Sequence, residues 1–325
     1  MSLNHRHAYN MEIRNWIFGA IAKSHRLAQG QLIRRPCPVC GSERLRPFVH
    51  NGALSYDRCD ECALVFLNPT LPDDAVNEGF EGGDPLLQDY FDIASRYKGG
   101  IPSRPDPASH DKLKDIHAAK PAGRLLDVGC SVGDFLHLAK HFYEVEGLEI
   151  NPVTAKIAGQ SFTVHKDYLD RLALPPVYDV VTLHQILYGV PDPLSLLRDI
   201  RSVLKDDGIL YVNTPNADSY ATRQYGGRCC HFYGYTSLNV FSPKAIHALA
   251  ERAGLRVLSL RTEWLDIYTP DLMEFHDQSD SFIHKRNCHR TGYEEQLAAE
   301  DKLHRQHYPD LGEGGNYLVA LLGKA

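Results

Sequence analysis

From residue 111 onward, short apolar runs alternate with stretches whose apolar residues recur every three or four positions. Arg124–Val128, Tyr143–Leu148, Ser161–His165, Tyr178–His184 and Gly208–Asn213 are too short for helices and predict buried strands. The segments between them predict helices. Asp111–Ala119 is stopped by Pro121 and Gly123, and Asp134–Phe142 turns Phe135, Leu136, Leu138, Ala139 and Phe142 inward. Asn151 caps a helix that has Pro152 in its first turn and runs to Gly159. Pro193–Leu204 carries Leu194, Leu197, Ile200, Val203 and Leu204 on one face, and Ser242–Pro243 opens a helix to Arg252 that ends at Gly254. Leu255–Arg261 and Asn316–Leu322 supply the last two strands. This alternation predicts an α/β fold, doubly wound on a mostly parallel, seven-stranded sheet.

The chain before residue 111 has a different texture. Between Asn10 and Gln29, Ile13, Trp16, Ile17, Ala20, Ile21 and Leu27 fall at helical spacing among basic residues. Such an arm docks on its own core, on a second subunit, or weakly on a membrane surface, and the first is the ordinary use of an amphipathic helix. Gly79–Asp84 and Gly99–Pro107 read as loops around a helix over Leu86–Tyr97, and Leu64–Leu67 reads as a strand. The expected division is a helical arm (1–36), a cysteine-bearing ribbon (37–70), a linker or lid (71–110) and a large α/β domain (111–325). A polar, His-rich insertion (265–313) interrupts the last two strands and reads as a solvated lid or an oligomer contact, leaving a homo-oligomer open.

Composition narrows the classes. With 35 Lys and Arg against 41 Asp and Glu in 325 residues, a net charge of -6 makes a broad nucleic-acid footprint unlike this chain. No apolar run approaches the roughly 20 residues that span a bilayer, and no secretory cleavage pattern follows the N-terminus. Four of the eight cysteines form two pairs, Cys37 with Cys40 and Cys59 with Cys62, separated by eighteen residues. Each Cys-x-x-Cys turn aims two sulfurs at one point, and two turns complete the tetrahedron of a structural Zn2+ site. All four positions are filled by protein, so the metal is expected to be structural, and its thiolates require a reducing compartment, the cytoplasm. Cys130, Cys229, Cys230 and Cys288 read as tolerated or buried thiols.

The chemistry is expected where the first strand of the large domain ends. Leu125-Leu126-Asp127-Val128-Gly129-Cys130-Ser131-Val132-Gly133 bends a strand sharply into a helix, and Glu149 follows the second strand twenty residues after Gly129. A carboxylate there can accept hydrogen bonds from ribose hydroxyls. The Gly-x-Gly-x-x-Gly register of a dinucleotide site is absent, and Asp127 would repel a pyrophosphate but suit a cofactor with a sulfonium and an ammonium. That favours S-adenosylmethionine over NAD.

These residues, with Tyr178–Leu183, Val190-Pro191-Asp192-Pro193, Leu204–Gly208, Asn213–Asn216 and Phe241–Lys244, resemble the class I S-adenosylmethionine-dependent methyltransferases. The resemblance covers residues 111 to 264 and the final strand, and it implies a Rossmann-like methyltransferase sheet. Together with the four-cysteine ribbon, the chain is similar to bacterial methyltransferases of sugar, nucleotide-sugar and natural-product pathways. The resemblance implies roles by position. Asp127, Gly129, Cys130, Ser131 and Gly133 hold the methionine part, Glu149 the ribose and Ile150 the adenine face. Asp167 meets the adenine amino group beside Tyr168, and His184 and Gln185 face the methyl group. Where many relatives carry a pair of histidines before Pro-Asp-Pro, this chain has Gln185 and Gly189, and Thr236 and Ser237 replace a further Glu-His. His184 and His231 are therefore the candidate bases. Tyr225, Tyr233 and Tyr235 with Arg223 and Arg228 read either as contacts to a flat, anionic small-molecule substrate or as loop packing. The competing classes are an inert methyltransferase-like domain on a binding ribbon, a methyltransferase acting on RNA or protein, and an NAD oxidoreductase.

Overall fold

The computed structural model describes residues 32–51, 54–98, 107–229, 231–263 and 315–325, together with Glu12, Trp16, Gly19, Ala20 and Lys23. The rest of the expected arm helix, Cys230, Cys288 and the 265–313 insertion lie outside the described residues.

The cysteine-bearing segment folds as a small antiparallel sheet of β1 (Leu45–Asn51), β2 (Leu54–Cys59) and β3 (Val65–Leu67). Three helices follow: α1 (Asp73–Glu78), α2 (Pro85–Lys98) and α3 (Pro107–Ala119). Between α1 and α2 the chain does not loop as expected but coils through a wide π-helical turn, Gly79–Gly83. Gly82 closes it at φ 103, a conformation that glycine adopts without a Cβ clash.

The remaining elements alternate. They are β4 (Arg124–Val128), α4 (Asp134–Ala139), β5 (Glu144–Leu148), α5 (Pro152–Ala158), β6 (Thr163–His165), β7 (Tyr178–His184), α6 (Pro193–Val203), β8 (Leu204–Pro215), α7 (Tyr220–Tyr225), β9 (Asn239–Val240), α8 (Pro243–Arg252), β10 (Leu255–Glu263) and β11 (Tyr317–Lys324). Seven of the strands form one sheet in the order β10-β11-β8-β7-β4-β5-β6. β6, β5, β4, β7 and β8 are mutually parallel, and β11 and β10 add antiparallel. The α/β, doubly wound, seven-stranded architecture expected from the sequence is the one observed.

The helices start where their caps dictate. Asn151 accepts from the Val153 and Thr154 amides, Asp192 from Ser195 and Ser242 from Ala245, each followed by a proline in the first turn. One expected inward residue is not inward: α4 ends at Ala139, and Phe142 on the following turn is 48% exposed. The helix stops before its period can carry position 142 back to the sheet, and Phe142 instead lies against the His117 ring.

Three cores meet at the sheet. One face packs Leu126, Val181, Leu183, Leu210 and Leu318 against α6 and α8 and continues without a break to Cys37, Cys59, Leu64 and Phe66. The other face buries Leu125, Val180, Tyr211 and Val319 under Ile116 of α3 and Phe135 of α4. A third, aromatic core joins Trp16, Tyr56, Leu87, Phe91, Phe232, Tyr233 and Tyr235. The small sheet is tied to the large domain by β9, which pairs with β3. Further ties run from Arg58 to Asp218 and from the Arg252 guanidinium to the Cys40 carbonyl.

Candidate functional site

The sharp corner after β4 is built from three left-handed residues, Gly129 (φ 76), Ser131 (φ 52) and Gly133 (φ 87). Gly129 is required by geometry: a Cβ there would stand 2.2 Å from Ile186 Cδ1. Ser131 pays the backbone strain of a side-chain-bearing residue in that region. It is held there by Glu149, whose Oε2 accepts from the Ser131 amide at 2.8 Å while Oε1 accepts from the Asn151 amide at 2.8 Å. Glu149 is 5% exposed, and burial raises its pKa against the pull of these bonds. The Gly129 and Cys130 amides both donate to the Leu148 carbonyl, so the corner is fastened to the end of β5.

Asp127, on the last turn of β4 before the corner, is 3% exposed. Burial pushes its pKa up to about 7, although the Thr182 hydroxyl donates to it at 2.7 Å. His184 Nε2 stands 4.0 Å from the same carboxyl, with the His184 ring between those of Phe135 (4.3 Å) and Tyr211 (5.4 Å). Burial holds His184 neutral. Gln185 follows at φ 59, and its side-chain amide donates to Asn213 Oδ1. Asn213 Nδ2 in turn donates to Glu263 Oε1 at 3.1 Å. Cys130 is buried, and burial raises its thiol pKa, so it is a packing residue rather than a nucleophile.

The structure therefore gathers Asp127, Gly129, Cys130, Ser131, Gly133, Glu149, His184 and Gln185 at the carboxyl ends of β4, β5 and β7, where open α/β sheets bind ligands. Ile150 is half-buried against the first core. Asp167 and Tyr168 stand one strand outward, past β6. There Asp167 accepts from the Tyr168 amide and from Arg171, whose guanidinium covers the Tyr168 ring at 4.8 Å. His231 keeps different company. It is 2% exposed, lies edge-on to Tyr317 at 5.5 Å, and is pushed down to about 4 by burial against an opposing hydrogen bond to the Asn316 backbone. Its Nε2 has no partner among the described residues. Tyr233 and Tyr235 pack in the aromatic core, where the Tyr235 hydroxyl also donates to Asp84 Oδ2 at 2.9 Å.

Thr182 and Asn213 fall inside runs that carry the resemblance, but neither they nor Glu263 stand out from the sequence as individual site residues. Thr182 occupies the position of β7 in register with Asp127, which strand pairing makes plain only in three dimensions. Asn213 and Glu263 are joined across fifty residues, and no local motif announces such a pair.

Away from this corner, Cys37 Sγ and Cys62 Sγ are 3.4 Å apart, as are Cys40 Sγ and Cys59 Sγ, and all four sulfurs lie within 4.8 Å of one another. Four thiolates around one zinc at ~2.3 Å per bond stand about 3.8 Å apart, so the residues fit that ion. The two turns match. Gly41 and Ala63 are both left-handed, and their amides donate to the Cys37 and Cys59 carbonyls.

Residues 105–260 match the family model for a methyltransferase domain, Methyltransf_23. A ubiquinone biosynthesis O-methyltransferase of Xanthomonas campestris pv. campestris (strain B100) is 33% identical over 128 residues, 35% of this chain and 54% of that protein. A protein of the same name from Bordetella bronchiseptica is 29% identical over 186 residues, 48% of this chain and 76% of its own. The chain thus spans about half the length of the first of these curated relatives. Among solved structures, an S-adenosylmethionine-dependent methyltransferase from Archaeoglobus fulgidus aligns over 72% of this chain and 99% of its own, at 19% identity and a TM-score of 0.47. Among the described residues no helix is long and apolar enough to cross a membrane.

Proposed function

We propose that this protein transfers a methyl group from S-adenosylmethionine to a small-molecule acceptor, a sugar, nucleotide-sugar or natural-product intermediate, in the cytoplasm. The observation that carries the reading is the buried acid at the foot of a left-handed glycine corner, Asp127 before Gly129–Gly133, inside a segment that matches a methyltransferase domain. When bound, the cofactor supplies a methyl group on a positively charged sulfur, open to in-line displacement. Asp127 offers that cation a compensating charge from a water-poor position. Glu149 holds the corner open through Ser131 and keeps lone pairs for the ribose hydroxyls; Ile150, Asp167 and Tyr168 bracket the adenine, and Gln185 lies beside the methyl donor. Holding two reactants in line is worth ~7–11 kcal/mol, so positioning is the protein's principal contribution.

The relatives' names, O-methyltransferase, favour an oxygen nucleophile, and its proton needs an acceptor. His184 and His231 are both neutral imidazoles, and with both His184 nitrogens and His231 Nε2 lacking a partner among the described residues, either suits that role. Cys37, Cys40, Cys59 and Cys62 hold a structural zinc, and its site, in a ribbon of residues 37–70, is filled by protein ligands alone.

Titration calorimetry with S-adenosylhomocysteine, NADH and a short RNA tests the reading. Only S-adenosylhomocysteine should bind; binding of NADH alone or RNA alone overturns it. Turnover unchanged in both His184→Ala and His231→Ala would remove the two candidate bases.

A further inference from the structure

Contacts around the glycine corner run in a closed ring, and one member of that ring comes from outside the matched residues 105–260. On one side Ile186 lies on Gly129, and its carbonyl accepts from the Gly189 amide at 3.0 Å. On the other side Glu149 holds the Ser131 and Asn151 amides. The π-helical turn Gly79–Gly83 bridges the gap between Gly189 and Asn151. A Cβ on Gly189 would stand 3.3 Å from Phe80 Cζ, so the Phe80 ring rests on the bare face of that glycine. The Phe80 carbonyl accepts from Asn151 Nδ2 at 3.4 Å, and Gly82 lies against Pro152.

Sheet order fixes what this bridge crosses. β4 lies between β5 and β7, Asn151 follows β5, and Gly189 follows β7. A segment that touches both spans the carboxyl end of β4, where Asp127 leads into the corner. The turn has further anchors. Asp84, the next residue, accepts from the Tyr235 hydroxyl at 2.9 Å. Glu81 stands beside Tyr168, whose hydroxyl is raised by burial and then by that carboxylate. Glu81, Gly82 and Gly83 are exposed, while Phe80 is half-buried. The turn thus shows solvent a polar face and turns one aromatic ring inward. π-helical turns are rare and concentrate at functional sites.

We infer that Gly79–Gly83 is the roof of the cofactor corner: Phe80 closes it by seating on Gly189, and the turn lifts for the nucleoside to enter or leave. This rests on the corner being the S-adenosylmethionine site. The closed roof keeps water from the methyl donor, and its seat sets how long the nucleoside stays. Weakening the seat from either side therefore shortens that stay.

Surface plasmon resonance with S-adenosylhomocysteine tests this. Phe80→Ala removes the ring, and Gly189→Leu pushes it off from the opposite wall without altering the turn. Each should speed dissociation about tenfold or more and leave association as fast or faster. In the wild type, S-adenosylhomocysteine should slow amide hydrogen exchange across 79–84, and Phe80→Ala should abolish that protection. Unchanged dissociation in a folded Phe80→Ala, weakening through slower association alone, or no protection of the turn in the wild type overturns the inference. Should Phe80→Ala fail to fold, Gly189→Leu and exchange in the wild type decide. If the wild type binds no S-adenosylhomocysteine, the cofactor reading itself fails, an outcome distinct from bound nucleoside beneath an unaltered turn.

Discussion

At the scale of single residues, the decisive feature is a carboxyl group kept where water does not reach it. Asp127 is raised to about 7 chiefly by burial, so the folded state holds its proton more tightly than the unfolded chain does. For a carboxyl shifted upward, folding stability is greatest below the unfolded value of about 4 and declines as pH climbs toward 7. Asp127→Asn, which can still accept from Thr182, should therefore melt at nearly the wild-type temperature at pH 4 and above it at pH 8, while losing affinity for S-adenosylhomocysteine. Thermal melts at the two pH values, paired with calorimetry, check both halves. Gly129→Ala should fail differently. Its Cβ has no room beside Ile186 and no comfortable backbone at φ 76, so a stability loss of about 1–3 kcal/mol is expected with loss of binding. Denaturant unfolding measures the first.

At the scale of elements, much was legible. The capped starts of α5, α6 and α8 and the whole of β4 and β7 fall where composition and period put them, because those signals act within a few residues. The glycine corner and the four cysteines were legible for the same reason. What could not be read was made by pairing at a distance: β9 closing the small sheet against β3, Thr182 beside Asp127, Asn213 beside Glu263. Another such assembly sits on β5. Glu146 accepts from His165 at 2.8 Å, from Tyr178 at 3.0 Å and from Arg124. Burial alone would raise its pKa, but these three donors outweigh it and hold it below the usual value. Its contribution is therefore complete above about pH 4.5 and is lost as pH falls through the lowered value. Glu146→Gln should destabilise by about 1–2 kcal/mol at pH 7, and the difference should shrink toward pH 3 in urea titrations.

At the scale of the molecule, the cysteine-bearing sheet shares its core with the large domain. Cys37, Cys59, Cys62 and Phe66 pack in the same cluster as Leu183 and Phe241, and Arg35 donates to the Pro191 carbonyl at 2.9 Å in the loop after β7. If the four cysteines hold zinc, its loss should therefore be felt at the far end of that packing. A chelator is expected to release about one zinc per chain, lower the single calorimetric transition rather than split it, and weaken S-adenosylhomocysteine binding. Metal analysis with scanning calorimetry would show two separate transitions if the parts were energetically independent.

The position of β11 has a further consequence. Among the described residues it is the last strand in sequence order, yet it lies inside the sheet, between β8 and β10. During synthesis, β10 emerges before the strand it pairs with among the described residues, and the β8 edge that β11 covers is made first as well. Two ladders then zip at once onto a single late-arriving segment. A nascent chain stalled before Tyr317 would thus leave bare the β8 edge and the β10 edge that β11 joins in the finished sheet, an invitation to chaperones and to clumping.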